Sequence, residues 1–155
     1  MPHQQGIKTV AQNRKAWHDY FIEDSLECGI ALKGTEVKSV RQGKISLKES
    51  YAVVKDGEVY AMSAHISPYE QGSYFNTDPM RPKRLLLHKS EIRKLSVLTQ
   101  RQGYTLIPLE VYLKGSLVKV KLGVCVGKHL HDKRASQAEK DAKMKISQAL
   151  KEHRR

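Results

Sequence analysis

The chain has 155 residues, with 28 Lys/Arg against 16 Asp/Glu for a net charge of +12, and 39% apolar residues. That is enough for one core, and it points to a polyanionic partner. No run of about 20 apolar residues exists, which excludes a transmembrane helix. MPHQQGIKTVAQNRK holds no apolar signal core, so the expected place is the cytoplasm. Cys28 and Cys125 stand far apart and fit neither a CxxC pattern nor a disulfide framework, so both read as half-buried thiols.

Residues 1–12 are polar, lack periodicity and read as a flexible N-terminus. From Lys15 to Leu32 the chain reads as one long strand, with Gly29 as a bulge or bend. Thr35 through Gln42 reads as a short helix, with Thr35 as N-cap, Val37 and Val40 buried and Gly43 as the stop. Residues 45–55 and 58–66 are rich in Tyr, Val and Ile and flank Asp56-Gly57, the signature of a hairpin with a type I′ turn.

Residues 67–84 carry Pro68, Pro79, Pro82 and Gly72 and read as a long loop ending in basic residues. Ser90 to Gln102 reads as a helix with Ile92, Leu95 and Leu98 inward and Gly103 at its end. Residues 104–113 form a strand that Pro108 pushes toward a sheet edge or a bulge. In 117–126, Val118, Val120, Leu122, Val124 and Val126 point one way, and Lys119 and Lys121 the other.

This order predicts a mainly β fold: a small OB-type antiparallel β-barrel with short flanking helices, occupying residues 13–126. A small sandwich fits the same pattern. Residues 127–155 then change character, with nine Lys/Arg against four Asp/Glu and no aromatic residue. Ser136-Gln137-Ala138-Glu139 is a capping box, followed by a thin stripe of Ala138, Ala142, Ile146, Ala149 and Leu150. Such a helix buries little, so this basic C-terminal tail is expected to be disordered alone and helical on a partner.

Catalysis has little support. There is no G-x-S-x-G, P-loop or Rossmann glycine pattern. Glu23, Asp24 and Glu27 could serve a metal-dependent nuclease, and His129-x-His131 could begin a metal site. The blander readings are a solvated strand edge and a basic segment with no further ligands. No enzyme, metal or cofactor is expected.

RNA contact has better support. Arg14 with Lys15, Lys38 with Arg41 and Lys44, Arg81 with Lys83 and Arg84, and Lys119 with Lys121 form basic groups on strands and loops. Aromatics are only 6% of the chain. Tyr51, Tyr60, Tyr104 and Tyr112 read as strand core rather than stacking platform. A folded RNA recognised by shape and phosphate therefore fits better than a threaded single strand.

These residues carry a resemblance. Asn13-Arg14-Lys15-Ala16, His18-Asp19-Tyr20-Phe21-Ile22-Glu23, Gly34-Thr35-Glu36-Val37-Lys38-Ser39, Ala64-His65-Ile66-Ser67-Pro68-Tyr69-Glu70-Gln71-Gly72, Leu85-Leu86-Leu87 and His131-Asp132-Lys133-Arg134 occur in order. From about Gln12 to Arg134 the chain resembles the small protein B family, the tmRNA-binding proteins of bacterial trans-translation. The resemblance implies an OB-type barrel and no enzymatic activity. It implies binding to the tRNA-like domain of tmRNA in place of the missing anticodon arm. It also implies delivery of alanyl-tmRNA, with elongation factor Tu, to stalled 70S ribosomes.

By the same resemblance, Asn13, Glu27 and Leu86 belong to the tmRNA-binding face. The tail, with Lys128, His129, Lys140 and Lys143, enters the empty mRNA channel and meets small-subunit rRNA. Asp132, Lys133 and Arg134 approach the decoding centre, where His131 stacks on an RNA base. Gly127-Lys128-His129 stands where the family usually has Gly-Lys-Lys, and Trp17 stands where a basic residue is common. The alternatives are a general ribosome-associated RNA-binding OB domain without tmRNA preference, and the nuclease.

Overall fold

The computed structural model describes residues 7–69 and 78–128. The elements, in chain order, are β1 Ile7–Gln12, α1 Arg14–Asp19, β2 Tyr20–Ile30, α2 Gly34–Arg41, β3 Ile45–Ser46 and β4 Tyr51–Lys55. There follow β5 Glu58–Met62, β6 His65–Ile66, β7 Lys83–Leu86, α3 Lys89–Gln102, β8 Thr105–Lys114 and β9 Leu117–Gly127. The fold is mainly β, with three helices among the described residues.

The strands pair in the order β8-β4-β5-β7-β2-β9, and β9 pairs back with β8, so six strands close a cycle of hydrogen bonds. β1 adds to β8 from outside the cycle, and β3 pairs with β6 in a small separate sheet. All six strands feed the main core: Leu26 and Cys28 from β2, Ala52 from β4, Val59 from β5, Leu85 from β7, Leu106 and Val111 from β8, and Val120 and Leu122 from β9. Helix α2 adds Val40, and α3 adds Ile92, Leu95 and Leu98. These apolar helix positions recur every three or four residues and so line one face.

Two bulges set which side chains face outward. In β9 the alternation is unbroken: Val120, Leu122 and Val124 enter the core, while Cys125 joins a second cluster with Ala16, Ile107 and Leu109. The register of β8 shifts between Pro108 and Glu110, so Leu106 and Val111 both face the main core although five residues apart. The register of β2 shifts between Ile22 and Asp24, so Ile22 packs on the second cluster while Leu26 enters the main core. One extra residue inverts the side-chain phase of a strand. Pro108 thus stands at a bulge, as its missing N–H predicts, whereas the bulge in β2 is at Glu23 and not at Gly29. Gly29 instead lies where Leu86 comes close: a Cβ there would sit 3.3 Å from the leucine.

The type I′ hairpin is present: Asp56 and Gly57 have φ of 53° and 76°, and Val54 pairs with Val59. Its arms are shorter than the runs 45–55 and 58–66. The turn Leu47–Ser50 and the left-handed Ser63 (φ 58°) split off β3 and β6. Helix α3 ends at Gly103 with φ 71°, the left-handed stop expected there. The N-cap of α2 is Lys33, two residues before Thr35; the Glu36 carboxylate accepts from Lys33 N at 2.7 Å.

Several expectations are corrected. The strand read from Lys15 begins only at Tyr20, because residues 14–19 form α1, which Asn13 caps while itself held by tertiary bonds. A six-residue helix is too short to show a period. Residues 7–12, read as flexible, pair with Glu110–Lys114 as an edge strand whose exposed polar positions carry no alternation signal. The loop 67–84 ends in strand β7, which pairs with β5 and β2. Both cysteines are fully buried rather than half-buried, and burial pushes each thiol up to about 12. His129, His131, Asp132, Lys133, Arg134, Lys140 and Lys143, with the capping-box helix, lie outside the described residues.

Candidate nucleic-acid interface

The outer side of β2, β9 and β8 is divided in two. At one end α1 lies over Ile107, Leu109 and Cys125. At the other end the pleat turns charged residues to solvent, in facing rows. Glu27 pairs with Lys121, and Lys121 with Glu110. Lys119 stands between Gly29 and Tyr112. Leu86 of β7 continues the row beside Gly29 and is 46% exposed, with Arg84 two residues back on the same outward side. Glu27, Gly29, Leu86, His88, Glu91 and Lys119 line one open groove of about 420 Å³.

The Glu27 carboxylate accepts from the Tyr112 hydroxyl and lies 3.5 Å from Lys114 Nζ. The tyrosine bond, with Lys114 and Lys119 nearby, holds its pKa below the ordinary glutamate value. Burial and the same bond push the Tyr112 phenol up. Glu27 is therefore an ionised acceptor among lysines. Lys121 lies 4.0 Å from Glu110. This face can attract phosphate through its lysines and accept hydrogen bonds from donors of a nucleotide at Glu27.

The remaining basic groups fall elsewhere. Arg14 and Lys15 project from α1, where Lys15 reaches Glu49 at 2.9 Å. On α2, Lys38 lies 5.5 Å from the centre of the Tyr69 ring, and Arg41 donates to Ser116 O at 3.3 Å. Lys44 is exposed just beyond that helix. Lys128 lies 5.4 Å over the Phe21 ring at the end of β9. Trp17 is on α1 and 51% exposed.

Three of the residues expected at the RNA face make hydrogen bonds within the protein. Asn13 is 3% exposed; it caps Ala16 N and donates to Leu47 O and Pro108 O, so it ties α1 to β8. Lys83 is fully buried and donates to Ala64 O and Pro79 O. Arg81 is spent on buried Glu36 and on Ala31 O. Asn13 and Lys83 are buried, while the Arg81 side chain stays 28% exposed. Tyr112, read as core, was missed: Val111 is inward, so Tyr112 and Glu110 must be outward, a phase masked in the sequence by the bulge at Leu109.

Among the described residues, no group of three His, Cys, Asp or Glu could hold a metal ion, and no helix is long and apolar enough to cross a membrane.

Residues 10–152 match the SmpB protein family. The SsrA-binding protein of Ruminiclostridium cellulolyticum is 59% identical over 151 residues, covering 97% of this chain and 98% of its own. That of Caldanaerobacter subterraneus is 60% identical over 146 residues, covering 94% and 92%. A solved chain described as "tmRNA-SmpB: a journey to the center of the bacterial ribosome" superposes with a TM-score of 0.66 at 46% identity, over 83% of this chain and 88% of that one.

Proposed function

The chain belongs to the SmpB protein family, and from that premise we propose that it is a tmRNA-binding adaptor of trans-translation. The observation that carries the reading is identity near 60% with SsrA-binding proteins along almost the whole chain. The open face around Glu27, Leu86, Lys119 and Lys121 supplies the matching chemistry: positive charge, an apolar contact and one ionised acceptor. The six-strand cycle is read as a barrel of the OB type, with residues 13–126 as the RNA-binding domain joined by β1, and 127–155 as a basic tail.

On this reading the face grips the tRNA-like domain of tmRNA. Arg14, Lys15, Lys38, Arg41, Lys44 and Arg84 add phosphate contacts around it, and Asn13, Arg81 and Lys83 act by holding the fold. The body stands in for the anticodon arm and delivers alanyl-tmRNA, with elongation factor Tu, to stalled ribosomes in the cytoplasm. The tail, at +5 over 29 residues, is drawn to the phosphate-lined mRNA channel and can enter only when no message fills it. Competition for one space is then how an empty channel is sensed, and ordering of the tail commits the complex.

A gel-shift titration with the tRNA-like domain, competed by excess bulk tRNA, tests the first step. A shift that survives competition supports a dedicated tmRNA partner. A shift erased by bulk tRNA overturns that reading in favour of a general RNA-binding domain. Removing residues 131–155 should leave the shift intact and abolish rescue of stalled ribosomes; loss of the shift would refute the division of labour.

A further inference from the structure

We propose that Tyr112 is a positioning residue of the RNA face: its hydroxyl reaches from β8 across β9 and holds the Glu27 carboxylate as acceptor for a hydrogen-bond donor of the bound RNA. The inference rests on the reading of this face as the tmRNA surface.

The register makes the span specific. Lys119 of β9 lies opposite Tyr112 on one side and Gly29 on the other, and Lys121 lies opposite Glu27. Adjacent strands stand about 4.8 Å apart, so β8 and β2 are about 10 Å apart across β9. Tyr112 and Lys114, both of β8, span that width and end in donors at Glu27.

A carboxylate on a phosphate-binding face repels the ligand, so its presence costs affinity unless it makes a bond of its own. Ionised, it accepts only. Its partner on the RNA is thus an O–H or N–H group, from a ribose 2′-hydroxyl or a nucleobase amine. A mobile carboxylate would collapse onto Lys119 or Lys121 and forfeit both its charge and theirs. The hydroxyl of Tyr112, with Lys114 at 3.5 Å, holds it away from that pairing. Facing Glu27 are Lys119 and Lys121 from β9, Lys114, Glu110 and Tyr112 from β8, and His88 and Glu91 across the groove.

The test is a double-mutant cycle on affinity for the tRNA-like domain. Glu27→Ala should weaken binding. Tyr112→Phe, which keeps the ring, should weaken it about three- to tenfold, the range of one hydrogen bond. The double variant should be no weaker than Glu27→Ala alone. Additive losses would make Tyr112 an independent contact, and an unchanged Tyr112→Phe would remove its role; either overturns the proposal. An unchanged Glu27→Ala in a protein that still prefers tmRNA over bulk tRNA overturns this inference and leaves the function standing. Failure of the wild type to prefer tmRNA overturns the functional reading itself.

A carboxyl-carbon NMR titration of the free protein gives a readout that packing loss would not imitate. The wild-type Glu27 midpoint should lie below the ordinary 4.5, and that of Tyr112→Phe should rise. A wild-type midpoint at the ordinary value refutes the proposal whether or not the variant folds. With 2′-deoxy substitutions in the RNA, loss of the Glu27 dependence assigns the donor to ribose, and its survival assigns it to a base amine.

Discussion

Arg81 and Glu36 lie 45 residues apart in sequence and meet side by side, Nη2 to Oε1 at 2.5 Å and Nε to Oε2 at 3.1 Å. Glu36 also caps α2 through Lys33 N, and Arg81 reaches Ala31 O, so one ion pair joins the end of β2, the start of α2 and the approach to β7. The Glu36 side chain is 4% exposed and that of Arg81 28%. Such a bidentate pair fixes geometry because the planar fork matches the carboxylate.

Arg81→Ala should therefore destabilise by about 3 kcal/mol, since it strands a buried carboxylate. Arg84→Ala, three residues on and exposed, should change stability by no more than about 0.5 kcal/mol. Urea denaturation of the two variants decides it. Equal midpoints would mean that the pair contributes nothing beyond surface charge.

The sequence could not separate those arginines, and the reason is general. Charge is legible from composition, but whether a cation meets water or a buried partner depends on contacts such as the one between residues 36 and 81. Lys83 was indistinguishable from Lys119 for the same cause. What was legible were elements with short-range signals: Asp56-Gly57 demanded two left-handed residues, the α3 stripe repeated at helical spacing, and β9 alternated without a bulge. Helix α1 and strand β1 were not legible, because each depends on distant partners: Asn13 on Leu47 and Pro108, and β1 on β8. The bulges hid the outward phase of Tyr112.

Lys83 gives a pH prediction. Burial holds its ammonium below the ordinary 10.5, with Glu36 and Asp78 opposing this more weakly. Just below pH 10.5 the unfolded chain therefore binds more protons at this site than the folded one, so the site's contribution to stability rises with pH through that window. Relative to Lys83→Met, the wild type should gain stability between pH 7 and pH 10, measured by urea midpoints at each pH. A difference that stays constant would show that the ammonium is as well solvated in the fold as in water.

Two glycines on the outer sheet predict opposite outcomes. A Cβ at Gly123 would meet Leu109 Cδ1 at 2.7 Å and Cys125 Sγ at 3.1 Å, beneath α1. Gly123→Ala should cost about 1–3 kcal/mol, the range for overpacking a core. At Gly29 the neighbours are Cβ and Cδ1 of exposed Leu86, each at 3.3 Å, a looser contact than at Gly123. Gly29→Ala should lower the melting temperature less than Gly123→Ala and weaken tmRNA binding by displacing Leu86. Equal thermal losses in the two variants would contradict the division of this face into a covered and an open half.

If the body makes roughly 6–10 phosphate contacts, affinity for the tRNA-like domain should fall about 10³–10⁵-fold from 50 to 200 mM salt. Each lysine that touches phosphate contributes about one unit to the slope of log affinity against log salt. Lys119→Gln and Lys121→Gln should each flatten that slope by about one, because both side chains stand on the open face. Glu27→Ala should weaken binding without flattening it, since a carboxylate releases no phosphate counterion. Lys83→Met should leave the slope untouched, because its ammonium is spent on Ala64 O and Pro79 O. A slope that changed with Lys83 and not with Lys119 would place the RNA near Ala64 and Pro79, away from the three-strand face.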